Sequence, residues 1–163
     1  MTLVTTSGIT PADQAHLDRA VALARVARDR GDHPFGALLL LPDRTTVEAS
    51  NTVLTGSDPT GHAETNLVRR TGRLSPATLA ASTMYASTEP CAMCTGAIYW
   101  SGIGRVVFAL AAEALAAMVD EEAGIPPLRL SARDLLAHGG RPIVVDGPAH
   151  LPGATAVHAG FWT

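Results

Sequence analysis

Residues 83–109 read as strand, helix, strand with almost nothing in between. TMYAS (83–87) and RVVFA (105–109) are short runs with strand character. Between them, residues 91–101 read as a helix that opens after Pro90 and stops at Gly102. An Ala-rich helix to about Val119 continues the alternation, which points to a layered α/β sheet. Upstream, Thr10-Pro11 has the form of an N-cap followed by proline at the first helical position. Leu17, Val21 and Ala24 recur at helical spacing up to Gly31. Residues 35–41 predict a buried strand, Pro42-Asp43-Arg44 a turn and residues 46–49 a second strand, together a hairpin. A helix is expected from near His62 to Gly72, a short one over 131–138 and a last strand over 143–146. The predicted order is α-β-β-α-β-α-β-α and then a less regular tail. No repeat or dividing linker interrupts the 163 residues, so 1–163 is read as a single domain.

Composition removes several classes of function. The formal charge of −3 and a pI near 6.0 argue against a broad nucleic-acid footprint, which needs a basic face. All twelve basic residues are arginine, so a lysine Schiff base is excluded. The start, MTLVTTSGITPADQ, lacks the basic and apolar regions of a signal peptide, and no apolar run approaches the length that spans a bilayer. The expected setting is cytoplasmic. There, two cysteines three positions apart are more often metal-binding or catalytic than joined in a disulfide.

Those cysteines, the only two, lie in EPCAMC (89–94), and His62-Ala63-Glu64 precedes them. From His62 to Cys91 there is room for the rest of a helix, a loop and a strand. Both motifs stand where a helix begins, so two helix N-termini could face one point and hold a metal by three ligands. Zinc takes imidazole nitrogen and thiolate sulfur tetrahedrally, and a catalytic zinc keeps its fourth position open for water. Helix N-termini favour thiolate over thiol. Glu64, two residues past His62, is placed to move a proton without binding metal. Other readings stay open. A thioredoxin-like pair has the same C-x-x-C spacing but leaves His62 and Glu64 unexplained. A non-enzyme module with a closed structural zinc site would need a fourth ligand such as His16, His33, His138, His150 or His158.

H-x-E followed by P-C-x-x-C is a zinc-deaminase signature. With GDHPFGALLL, ASNTV, DPTGHAETNLVRR and TMYASTEPCAMCTGAIYWSGIGRVVFA around it, the chain resembles the cytidine deaminase-like superfamily, in its bacterial guanine deaminase and tRNA-adenosine deaminase branch. The resemblance covers most of residues 12–110, leaving 111–163 as a specificity or lid segment. It implies a three-layer α-β-α fold with a central mixed five-stranded sheet and an active site near the interface of a homodimer. It implies one zinc per chain on His62, Cys91 and Cys94, and Glu64 as proton shuttle. By the same comparison Asn51 binds the base, the Ala63 backbone N–H meets a substrate carbonyl, and Phe35 and Trp100 follow the guanine deaminase form. The plainer roles are a turn residue for Asn51, a core ring for Phe35 and a packing ring for Trp100.

The tail bears on the substrate. A tRNA enzyme brings Lys and Arg for phosphates, whereas after Arg105 only Arg129, Arg133 and Arg141 follow. The cluster Arg69, Arg70 and Arg73 has the ordinary reading of a solvated helix face. A small-molecule base or nucleoside is therefore expected, guanine-like purine first (hence a place in purine metabolism) and cytosine or an aminotriazine second. A tRNA adenosine-to-inosine deaminase is the alternative, and neither nucleic acid nor membrane is an expected partner. Phe161 and Trp162 are candidates for an aromatic lid, over the chain's own site or a partner's. Glu121 and Glu122, with Asp120, are candidates for a second acid.

Overall fold

Helix α1 (Pro11–Arg30) is fixed at both ends by its own sequence. The Thr10 hydroxyl accepts from the Asp13 N–H, the Asp13 carboxylate accepts from the Thr10 N–H, and Pro11 fills the first turn. Gly31, at φ 98°, adopts the left-handed conformation that closes the other end. In the computed structural model, which describes residues 3–119 and 126–162, Leu17, Ala20, Ala24 and Ala27 form one fully buried face of this helix.

That face lies on a sheet made of β1 (Val4–Thr5), β2 (Gly36–Leu40), β3 (Thr46–Ser50), β4 (Thr83–Thr88), β5 (Arg105–Leu110) and β6 (Ile143–Asp146), in the order β1-β6-β5-β4-β2-β3. β2 runs antiparallel to β3 and β4, while β4, β5, β6 and β1 run parallel. The hairpin register pairs Gly36 with Ser50 and Leu39 with Val47, and the Asn51 N–H bonds the Phe35 carbonyl just beyond it. Alternation along the strands divides the core in two. Leu38, Tyr85 and Val107 meet α1 and α7 (Pro152–Ala156) on one side. Leu39, Met84, Val106 and Phe108 point to the other side. There they meet α2 (Ala63–Arg69), α3 (Pro76–Ala80), α4 (Ala92–Ser101) and α6 (Ala132–Leu136). Gly36 permits the close seating of α1, because a Cβ there would stand 2.3 Å from the Ala20 carbonyl oxygen.

The sheet is mixed and covered by helices on both faces, with six strands rather than the five expected. The additional strand is the two-residue β1, which runs beside β6. Its following turn is tied down by Asp146, which accepts from the Thr6 and Ser7 hydroxyls and from the Ser7 and Gly8 N–H groups. Arg105 reaches both Asp13 at 2.7 Å and Asp146 at 2.8 Å, fastening α1 to the sheet. The Ala-rich helix is also shorter than expected: α5 spans Ala112–Ala116. No helix among the described residues is long and apolar enough to cross a membrane. The β4-α4-β5 unit puts the start of α4 at the carboxyl end of β4, where open α/β sheets build their sites.

Candidate active site

Two helices begin on residues singled out by the sequence. His62 is the N-cap of α2 and Cys91 the N-cap of α4, and neither side chain makes the capping hydrogen bond its position allows. Instead they converge. His62 Nδ1 lies 3.6 Å from Cys91 Sγ and 3.5 Å from Cys94 Sγ. Tetrahedral bonds of ordinary zinc–nitrogen and zinc–sulfur length imply an N···S edge of about 3.6 Å. The donor set, the spacing and the orientation of Nδ1 toward both sulfurs thus fit a single zinc ion. His62, Cys91 and Cys94 have ligand atoms all within 4.8 Å of one another. Among the described residues none of His16, His33, His138, His150 and His158 joins them, so a closed four-ligand site is not formed.

The charges at this point are mutually dependent. Contact with Cys94, followed by His62, draws the Cys91 thiol down to about 4 against the opposing effect of burial. Cys94 is pushed up by its hydrogen bond to Cys91, by burial and by Glu64. His62 is raised, chiefly by Cys91. Glu64, in the first turn of α2 and buried, stands with Oε2 3.4 Å from Cys94 Sγ. Its carboxyl is raised first by burial and also by the Cys91 charge. A carboxyl raised toward neutrality is suited to take up and return a proton. Two sulfurs and a buried carboxylate this close together leave a position that a cation would neutralise.

His62, Glu64 and Cys91 open onto a cavity of about 320 Å³ whose other walls include Phe35, Thr88, Leu128, Leu130 and Trp162. Phe35 is therefore at the cavity, and its ring tilts against His158 at 5.3 Å and Trp162 at 5.9 Å. Asn51, whose N–H bonds the Phe35 carbonyl, is fully buried behind that residue and is not itself among the cavity walls. Its Oδ1 accepts from the Val53 N–H, while its Nδ2 has no partner among the described residues. An unpaired amide donor in such a place costs about 1–3 kcal/mol unless something pairs with it. Ala63 is buried in the first turn of α2, where backbone N–H groups lack a partner within the helix.

The expectation for Trp100 needs correction. It is 85% exposed and packs edge-to-face on Tyr99. Helix α4 carries it roughly 13 Å along the axis from Cys91, so this chain does not bring it to its own cavity. Glu121 and Glu122, with Asp120, lie outside the described residues.

The C-terminal aromatics separate into two positions. Trp162 lines the cavity of its own chain. Phe161 is not among the cavity walls; it meets His33 edge-on and lies 5.8 Å from the Arg28 guanidinium. Arg28 also donates to the carbonyls of Val157 at 2.6 Å and Ala159 at 2.8 Å, so α1 holds the tail in place. His158 is buried, with Nδ1 accepting from Trp162 Nε1 at 3.2 Å and Nε2 3.4 Å from Thr88 Oγ1. Burial, then the Arg28 charge, lowers this imidazole to about 4. Sequence reasoning missed Thr88 and Arg28 altogether and considered His158 only as a metal ligand. The one available signal was the position of Thr88 at the end of the strand that leads into EPCAMC.

Residues 10–110 match the family model described as the cytidine and deoxycytidylate deaminase zinc-binding region. The chain is 39% identical over 153 residues to a probable cytosine deaminase of Schizosaccharomyces pombe, an alignment spanning 92% of each protein. It is 39% identical over 98 residues to guanine deaminase of Bacillus subtilis, covering 59% of this chain and 63% of that one. The solved guanine deaminase from Nitrosomonas europaea superposes with a TM-score of 0.69 at 23% identity, over 93% of this chain and 85% of that one, a likeness of fold.

Proposed function

The chain belongs to the cytidine and deoxycytidylate deaminase zinc-binding family, and from that premise we propose that it hydrolytically deaminates a free nucleobase, a cytosine-like pyrimidine before a guanine-like purine. The sequence alone suggests the opposite order. Two facts support the reversal. Similarity to the probable cytosine deaminase continues through nearly the whole chain, whereas the match to the guanine deaminase covers little more than half of it. The C-terminal segment is also part of the cavity, through Trp162. The observation that carries the reading is the junction of His62, Cys91 and Cys94 with buried Glu64 beside a mostly apolar cavity of about 320 Å³, which has room for a base.

In this reading His62, Cys91 and Cys94 hold zinc. When bound, zinc supplies a water whose pKa falls from ~16 toward ~7. Glu64 takes the proton from the attacking water and delivers it to the ring nitrogen beside the amine-bearing carbon. It then takes the remaining proton of the hydroxyl added at that carbon and passes it to the departing amine, so that C–NH₂ and water become C=O and ammonia. Asn51 Nδ2 gives its unpaired hydrogen to an acceptor on the ring edge. The Ala63 N–H serves as a second donor. Phe35 and Trp162 hold the ring by its faces, and Leu128 and Leu130 add apolar surface to the cavity wall.

Ammonia release from cytosine, guanine, adenine and their nucleosides, run beside an anticodon stem-loop assayed for inosine, tests this. The expected result is turnover of free bases with cytosine fastest. Turnover confined to the RNA would replace the proposal with tRNA editing. Zinc-loaded protein inactive on every substrate would favour the non-enzyme zinc module.

A further inference from the structure

Trp162, His158 and Thr88 form a chain of polar groups that ends at the cavity wall. An indole N–H is only a donor. Because Trp162 Nε1 faces His158 Nδ1 at 3.2 Å, Nδ1 must be the acceptor, and the single proton of a neutral imidazole must sit on Nε2. The cationic form would set one N–H against another, and it is further disfavoured by burial and by the Arg28 charge. His158 Nε2 then donates to Thr88 Oγ1 at 3.4 Å, the longest link. The Thr88 hydroxyl keeps one proton of its own. Thr88 is buried and lines the cavity, and its hydroxyl has no acceptor among the described residues.

We propose that this relay, from Trp162 through His158, makes the Thr88 hydroxyl a donor that reads a carbonyl oxygen on the substrate ring and disfavours an amino group in its place. The inference rests on the nucleobase reading above and adds a specificity-determining residue to it. A carbonyl pairs the waiting proton. An amino group at that position leaves the hydroxyl proton unpaired in a desolvated site, the kind of mismatch that binding sites reject strongly. His158 and Trp162 act through Thr88 and are positioning residues for this purpose.

The test compares substrate pairs that differ by oxo against amino: cytosine with 2,4-diaminopyrimidine, and guanine with 2,6-diaminopurine. Thr88→Val should lower kcat/KM on the oxo member about 10- to 100-fold and narrow the oxo/amino ratio, with zinc content and Tm held near the parent's. Thr88→Ser should restore the ratio. Trp162→Phe should narrow it less, and the Trp162→Phe/Thr88→Val double variant should be no narrower than Thr88→Val alone. Independently of turnover, ¹⁵N-histidine spectra at pH 7 should show His158 protonated on Nε2 only. An unchanged ratio in folded, zinc-replete Thr88→Val, or the Nδ1 tautomer or an imidazolium at His158, overturns the relay while leaving the deaminase reading intact. A parent enzyme inactive on all four bases overturns the base reading, and the relay with it.

Discussion

Replacing Arg28 by alanine should loosen the C-terminal segment without unfolding the protein. The side chain makes two hydrogen bonds to carbonyls of the tail, at 2.6 and 2.8 Å, and faces the Phe161 ring at 5.8 Å. Each bond contributes a net of about 1 kcal/mol, and the ring contact adds about 0.5 kcal/mol at a half-exposed site. Discounted for solvent screening, the loss is about 2 kcal/mol, close to 30-fold in the docked-to-undocked ratio. Native-state hydrogen exchange reads this directly. The amides of Ala154, Val157, His158 and Phe161 are all bonded within the tail and should lose about 30-fold in protection in Arg28→Ala, while amides in α4 keep theirs. KM for a small substrate should rise, because Trp162 forms part of the cavity. A change below threefold in the tail amides, or an equal loss across α4, would refute the assignment of Arg28 as a local latch.

Glu64→Gln should retain one zinc by metal analysis and lose at least about 10³-fold in kcat, since the amide keeps the shape but cannot shuttle a proton. Cys91→Ser or chelator treatment should remove zinc and lower Tm, because two helix starts lose their common anchor. Gly36→Ala should cost about 2–4 kcal/mol by denaturant unfolding, because the added methyl would meet backbone atoms of α1 that cannot move aside. For pH, burial tends to raise Asp13 and Asp146, but bonds from Arg105 and neighbouring donors outweigh it. Asp13 ends well below the usual carboxylate range and Asp146 at about 2. Depressed values mean that the unfolded chain binds more protons in acid. The stability these groups contribute is therefore full above about pH 4 and is lost as pH falls toward 2. Arg105→Met should flatten that segment of a Tm-against-pH curve.

The parts of the fold visible in the sequence are those in which one residue type answers one local need. Thr10, Pro11 and Gly31 mark the ends of α1 because caps and left-handed turns have strict side-chain requirements. The β4-α4-β5 unit is visible because its apolar runs are bounded by Pro90 and Gly102. β1 was not, since two residues carry no period and the strand depends on Asp146, about 140 positions away. The cluster of His62, Cys91 and Cys94 was legible because these residues fall in two short motifs at helix starts. Trp100 misled because a resemblance in sequence does not say which end of a helix faces the cavity, and here the ring is 85% exposed. Thr88 and His158 were hidden for the converse reason: their relation spans 70 residues and exists only once the tail has folded back.

The hairpin of β2 and β3 works like a caliper. Its jaws are Phe35 and Asn51, joined by one backbone hydrogen bond, and its pivot is the distant turn at Pro42–Arg44. Adding equal lengths to both arms at the pivot leaves the jaw spacing as it is, so this turn can vary freely between related chains. Adding a single residue to one arm shifts the pairing by one and turns alternate side chains to the opposite face. Asn51 would then leave the ring edge it is proposed to hold, although every catalytic residue stayed in place. Evolution or engineering can therefore reshape the turn at little cost, but only in steps that preserve the register at the jaws.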